Sequence, residues 1–285
     1  MAYETILSCA DLFTNLNTKD WVIMDCRFDL MHPEWGEENY LEMHIPGAVY
    51  ANVDSDLSGA KSPLTGRHPL PDPQDFLKSM SRLGIDNNTQ VIAYDSTAGS
   101  FAARLWFLLR FYGYTKVAVL DGGFSEWMKQ KLPYESGIHQ NKPGHFTGTP
   151  RTDWIVTTAD VENNLGKPGW LLVDARAPER FAGKQETIDS VAGHIPGAVD
   201  HFYGLNLDPN GLFLPAETLK NQYSALIKGF NPENTAVYCG SGVTSCHNLL
   251  AMAIAGLPQP RLYAGSWSEW IRNPQHSVIQ KETSW

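Results

Sequence analysis

The residues in this chain best suited to covalent chemistry are Cys239-Gly240-Ser241-Gly242-Val243-Thr244-Ser245. A thiol is followed by glycines and hydroxyl residues, between an apolar run (Ala236-Val237-Tyr238) and a segment with Leu249, Leu250, Ala253 and Ile254 at helical spacing. The pattern predicts strand, tight loop, helix, with the helix stopping at Gly256 before Pro258. Such a loop gathers backbone N–H groups and a helix start around the sulfur. That setting lowers a cysteine pKa from about 8.5 to roughly 3.5–7.5, so Cys239 is expected to be a thiolate nucleophile near neutral pH. Gly240 and Gly242 let the backbone curl close to the sulfur, where a side chain would obstruct it.

Composition sets the background for that chemistry. The 285 residues carry a net charge of −9, with 42% hydrophobic and 19% charged residues. This is a globular composition, and its acidic balance argues against a nucleic-acid or anionic-membrane surface. An anionic substrate therefore needs local positive charge. The four cysteines, Cys9, Cys26, Cys239 and Cys246, have neither disulfide-framework nor zinc spacing, so free thiols and no metal are expected. The first residues lack a basic start and an apolar core, and no run approaches the ~20 apolar residues of a membrane span. The expectation is a soluble, cytoplasmic protein.

The elements that position the loop are written twice. Trp21-Val22-Ile23-Met24-Asp25-Cys26-Arg27 and His44-Ile45-Pro46-Gly47-Ala48-Val49 return as Trp170-Leu171-Leu172-Val173-Asp174-Ala175-Arg176 and His194-Ile195-Pro196-Gly197-Ala198-Val199. Val91-Ile92-Ala93-Tyr94-Asp95 aligns with the strand that ends at Cys239, and Gly123-Phe124-Ser125-Glu126-Trp127 with Ser266-Trp267-Ser268-Glu269-Trp270. Repeats near 150 residues mean tandem domains, since solenoid repeats run about 20–50. Within each unit short strands alternate with helical segments such as 75–83, 101–112 and 216–227. This predicts α/β domains with a mostly parallel sheet and helices on both faces, the loop sitting at a strand's carboxyl end. A polar, Gly/Pro-containing stretch divides the units: 1–141, a linker at 142–153, and 154–285.

Duplication supplies an internal control. The Asp25/Asp174, Arg27/Arg176 and His44/His194 pairs occur in both copies and read as scaffold. Asp95 stands where Cys239 does, so the first unit is expected to be catalytically silent. Arg180 and Lys184 are particular to the second copy and could hold a carboxylate or a sulfur oxyanion. Asn52 to Pro73 has no counterpart in the second copy and reads as a long loop able to cover a site.

Tandem units with Asp-x-Arg, His-Ile-Pro-Gly-Ala and one cysteine loop resemble the two-domain rhodaneses and 3-mercaptopyruvate sulfurtransferases across nearly the whole chain. The Cys-Gly-Ser-Gly-Val-Thr loop resembles the mercaptopyruvate branch, whereas thiosulfate-specific members typically carry charged residues there. The resemblance implies ping-pong sulfur transfer through a Cys239 persulfide, without cofactor. The donor would be a small sulfur anion, 3-mercaptopyruvate or thiosulfate. The acceptor would be cyanide or a thiol, thioredoxin-like proteins included. It also implies that Arg180 grips the donor carboxylate, that Ser241 and Asp54 form a relay with the cysteine, and that Gly240, Gly242, Val243 and Thr244 line the donor site. His68 is matched to a cleft histidine across a short insertion. Mercaptopyruvate members carry a second arginine beyond the first; Gln185 to Asp189 supplies none, and Lys184 is the nearest cation.

Two other readings use the same residues. A phosphatase on this fold needs an arginine six residues after the nucleophile, and that position is Ser245. A redox sensor or sulfur carrier without turnover would use Cys246 to resolve an oxidised Cys239, but seven residues along a helix is a poor distance for pairing.

Overall fold

The computed structural model describes residues 2–280. Each repeat forms one five-stranded, all-parallel sheet. The first is built from β1 (Ile6–Leu7), β2 (Trp21–Asp25), β3 (Ala48–Tyr50), β4 (Gln90–Tyr94) and β5 (Val117–Leu120), in spatial order β1-β5-β4-β2-β3. The second repeats that order as β6 (Ile155–Val156), β10 (Arg261–Tyr263), β9 (Thr235–Tyr238), β7 (Leu171–Asp174) and β8 (Ala198–Asp200). The central strands β4 and β9 are buried along their whole length, as expected of strands covered on both faces. Asp25 pairs with Tyr94 and Asp174 with Tyr238 in matching register, so each critical loop begins one residue beyond an equivalent pair.

Contacts divide the chain into two units at more than one point. One holds residues 1–59, 70–151 and 208–213, the other 60–69, 152–207 and 214–285. The stretch from 142 to 151 is packed onto the first unit. Gly144 N–H donates to Ser81 C=O at 2.8 Å and Arg151 N–H to Phe111 C=O at 2.8 Å.

The duplicated motifs are internal braces in both units. Arg27 holds the fully buried Asp25 through Nε (2.9 Å to Oδ2) and reaches Met43 C=O at 2.6 Å. Arg176 holds Asp174 at 2.7 Å and Gly193 C=O at 2.7 Å. His44 and His194 are buried, each with Nδ1 2.7 Å from a backbone carbonyl, of Tyr40 and Phe181 respectively. Buried charge survives here because it is paired and its remaining donors find carbonyls. Each core is apolar and aromatic: Ile23, Ile92, Phe124 and Trp127 in the first, Leu172, Tyr238, Trp267 and Trp270 in the second. No helix among the described residues is long and apolar enough to cross a membrane.

Candidate active site

Cys239 follows β9, and the helix Ser245–Ile254 starts six residues later. The loop between them folds over the sulfur. Gly242, with φ +79°, turns its N–H toward Cys239 Sγ at 3.2 Å. That left-handed conformation, and the close approach of the Ala264 backbone, exclude any side chain at 242. Burial of Cys239 opposes its ionisation. The Thr244 and Ser245 hydroxyls and the Ser241 and Ser245 amides overcome that cost and hold the thiol below its ordinary pKa. Ser245 Oγ is buried and makes no hydrogen bond of ordinary geometry among the described residues, so it acts on the sulfur as a nearby dipole. Cys9 shifts the other way: there burial, helped by Glu126 and Asp121, pushes the thiol up to about 12.

The first unit carries the same cradle, filled. Asp95 Oδ1 accepts from the N–H groups of Thr97 (2.8 Å) and Gly99 (2.9 Å), and Oδ2 from those of Phe101 (2.7 Å) and Ala102 (2.9 Å). Four amide donors converge on the carboxyl of the first unit; in the second unit the matching loop position holds the Cys239 sulfur.

Residues 60–69 bring two side chains to the second unit's loop. His68, 2% exposed, places Nδ1 2.8 Å from Ser241 Oγ. Arg67 pairs through Nη1 with Asp189 Oδ1, while Arg180 Nη2 reaches Asp189 Oδ2 at 3.0 Å. Arg180 is further held by Glu186, with Nε 3.0 and 3.1 Å from its two oxygens. Burial raises Glu186, but Arg180 and two backbone N–H groups outweigh it and keep the carboxyl below its usual pKa. Both guanidiniums lie against Gly240: a Cβ there would stand 2.8 Å from Arg67 Nη2 and 3.5 Å from Arg180 Nη2. Arg67 Nε is buried with no hydrogen-bond partner among the described residues.

Of the residues singled out by sequence, Cys239, Gly240, Ser241, Gly242, Thr244, Arg180 and His68 are therefore assembled in one place. Val243 is buried in the loop, its C=O accepting from Cys246 N–H at 3.0 Å. Lys184 is exposed, its N–H donating to Glu179 C=O at 2.9 Å. Asp54 is half-buried in the first unit, its N–H donating to Asn52 Oδ1 at 2.8 Å, and its part in a relay rests on the family resemblance. Arg67 is the residue the sequence reading passed over, although it adjoins His68. Cys246 points its S–H at Gly242 C=O, 3.4 Å away, which turns it toward the loop backbone. Among the described residues no group of His, Cys, Asp or Glu is arranged to hold a metal ion.

Comparison with known proteins agrees with this geometry. The rhodanese-like domain family model matches twice, at residues 8–130 and 157–273. A probable 3-mercaptopyruvate sulfurtransferase of Pseudomonas aeruginosa is 44% identical over 98% of this chain and 99% of its own. The thiosulfate sulfurtransferase of Bos taurus is 35% identical over 86% of this chain and 83% of its own. Among solved structures, the 3-mercaptopyruvate sulfurtransferase from Leishmania major superposes with a TM-score of 0.81 at 28% identity, covering 94% of this chain and 74% of that one. With both repeats matched to the rhodanese-like domain and sulfurtransferase relatives at 35% identity and above, this chain belongs to the two-domain rhodanese sulfurtransferases.

Proposed function

We propose that the protein transfers sulfur from 3-mercaptopyruvate to a thiol or cyanide through a persulfide on Cys239. The observation that carries the donor assignment is the pair of guanidiniums, Arg67 and Arg180, set against Gly240 one residue from the nucleophile. Two planar forks suit a carboxylate with an adjacent ketone oxygen, and the buried Arg67 Nε–H provides a donor still to be satisfied. Between Cys239 and Thr244 the loop has no charged side chain, so donor charge would be met by the two arginines alone.

In the first half-reaction the Cys239 thiolate attacks the donor sulfur. The S–S bond forms as the donor's C–S bond breaks, and the electron pair leaves on carbon as the enolate of pyruvate, which takes up a proton. In this reading the Ser241 hydroxyl polarises the ketone and steadies that enolate, supported by its hydrogen bond with His68. In the second, an acceptor thiolate or cyanide attacks the outer sulfur, the S–S bond breaks, and Cys239 leaves as the thiolate its loop favours. Donors around the sulfur stabilise the persulfide anion as they do the thiolate. A thioredoxin-like protein fits the acceptor role by the same thiol chemistry.

Steady-state rates with 3-mercaptopyruvate and with thiosulfate, cyanide accepting in both, test the reading. A larger kcat/KM with 3-mercaptopyruvate is expected, and preference for thiosulfate overturns the donor assignment. Mass spectrometry of Cys239 after donor alone should show one added sulfur atom, absent in Cys239→Ser.

A further inference from the structure

We propose that Ser266 is a positioning residue for the nucleophile, fixing the backbone at Cys239 and so the aim of its sulfur. The proposal rests on Cys239 carrying the reaction. Ser266 is fully buried and holds φ +55°, a conformation that L side chains rarely adopt. Its counterpart in the duplicated first unit is Gly123, at φ +59°. The silent copy meets the demand of this turn with the residue made for it, whereas the active copy keeps a side chain where strain disfavours one. A side chain kept at a left-handed position that its counterpart gives to glycine points to a use for that side chain.

The hydrogen bonds show what the use is. Ser266 Oγ accepts from Cys239 N–H at 3.1 Å and donates to Tyr263 C=O at 2.9 Å. Donation to Tyr263 fixes the hydroxyl proton, so an oxygen lone pair faces the cysteine amide. Trp267 N–H donates to Cys239 C=O at 3.0 Å, and Ser268 N–H to Gly240 C=O at 2.9 Å. Together they pin the peptide groups on both sides of the Cys239 Cα, leaving side-chain rotation as the freedom that brings Sγ to Gly242 N–H. In the first unit the backbone contact persists, Phe124 N–H reaching Asp95 C=O at 2.7 Å, but glycine has no hydroxyl to add. A carboxylate held by four amides anchors itself. A sulfur that must gain and release another atom is held more weakly and relies on its backbone for direction.

The same turn also carries the donor loop. Ser268 Oγ accepts from Arg67 N–H at 3.0 Å, and Glu269 Oε2 from Gly66 N–H at 3.3 Å. The Ser266 hydroxyl itself bonds Cys239 and Tyr263, whereas the donor loop is held by Ser268 and Glu269, which separates its effect from donor binding.

The test compares Ser266→Gly, which installs the residue of the twin turn, with Ser266→Ala, which removes the hydroxyl but keeps the strained Cβ. In both, kcat with 3-mercaptopyruvate and cyanide is expected to fall about tenfold or more, with donor KM within twofold of the parent. The pH midpoint for alkylation of Cys239 by iodoacetamide is expected to move upward. Ser266→Gly should melt no lower than Ser266→Ala. A parental kcat and alkylation profile in Ser266→Gly overturns the proposal, as does a loss confined to KM. Failure of the parent protein to acquire sulfur on Cys239 would instead overturn the nucleophile assignment beneath it, so the two failures are told apart.

Discussion

Arg67 and Arg180 hold opposite oxygens of one carboxylate, that of Asp189. Arg67 comes from the loop at 60–69 and Arg180 from the short helix Pro178–Phe181, and the shared acid keeps two like charges side by side. Removing either guanidinium should cost donor binding above all. Arg67→Ala and Arg180→Ala are each expected to raise the donor KM about 10- to 100-fold, the range of one charge-assisted hydrogen-bonded contact. Because the contact is made in ground and transition states alike, kcat should change far less. Steady-state kinetics over a wide donor range decides it, and an unchanged KM for Arg67→Ala removes that residue from the site.

The cysteine loop makes a prediction in pH. Burial disfavours the Cys239 thiolate, and the Thr244 hydroxyl is foremost among the groups that reverse this. Thr244→Val keeps the shape and removes the hydroxyl. The midpoint of Cys239 alkylation against pH should then rise by about one unit, and transfer at pH 7 should slow accordingly. An unmoved midpoint would assign the depression to the Ser245 hydroxyl and the backbone amides.

In the first unit, Asp95→Ala strands four N–H groups that now meet a carboxylate, three of them in buried contacts. A loss of about 2–4 kcal/mol in stability is expected, measured by denaturant unfolding. The kcat of protein kept folded is expected to match the parent, and a fall in kcat would give that cradle a part in the chemistry.

Asp200, at the end of β8, has its carboxyl raised to about 6 by burial and then by Asp174, and its Oδ1 is buried without a hydrogen bond among the described residues. A carboxyl raised in the folded state binds its proton more tightly there than in the unfolded chain. Its destabilising effect is therefore absent below about pH 4, grows between pH 4 and 6, and is complete above 6. Asp200→Asn should raise stability by about 1–2 kcal/mol at pH 7 and give little gain at pH 4. Melting curves at the two pH values check this, and an equal gain at both would rule out the charge as the cause.

The duplication made much of this legible in sequence. Paired Asp-x-Arg and His-Ile-Pro-Gly-Ala motifs marked the strands and braces, and the Cys239/Asp95 difference marked where the two loops diverge in chemistry. Helices predicted at 75–83, 101–112 and 216–227 form at Pro73–Arg82, Ala102–Phe111 and Ala216–Leu226, because their apolar spacing is local. Arg67 was not legible. Its loop has no counterpart to be compared with, and its partner Asp189 lies far along the chain, so proximity in sequence favoured Lys184, which is exposed. Ser266 was passed over for the opposite reason. It sits in a motif shared by both copies, and only the substitution of serine for glycine at a left-handed position sets it apart.

Residues 60–69 lie in the first half of the chain and pack with the second unit, while 208–213 do the reverse. A polypeptide cut at the midpoint would leave Cys239 without the imidazole and one of the guanidiniums around it. Whatever independence the ancestral repeats had, each unit now includes a strip of chain from the other half.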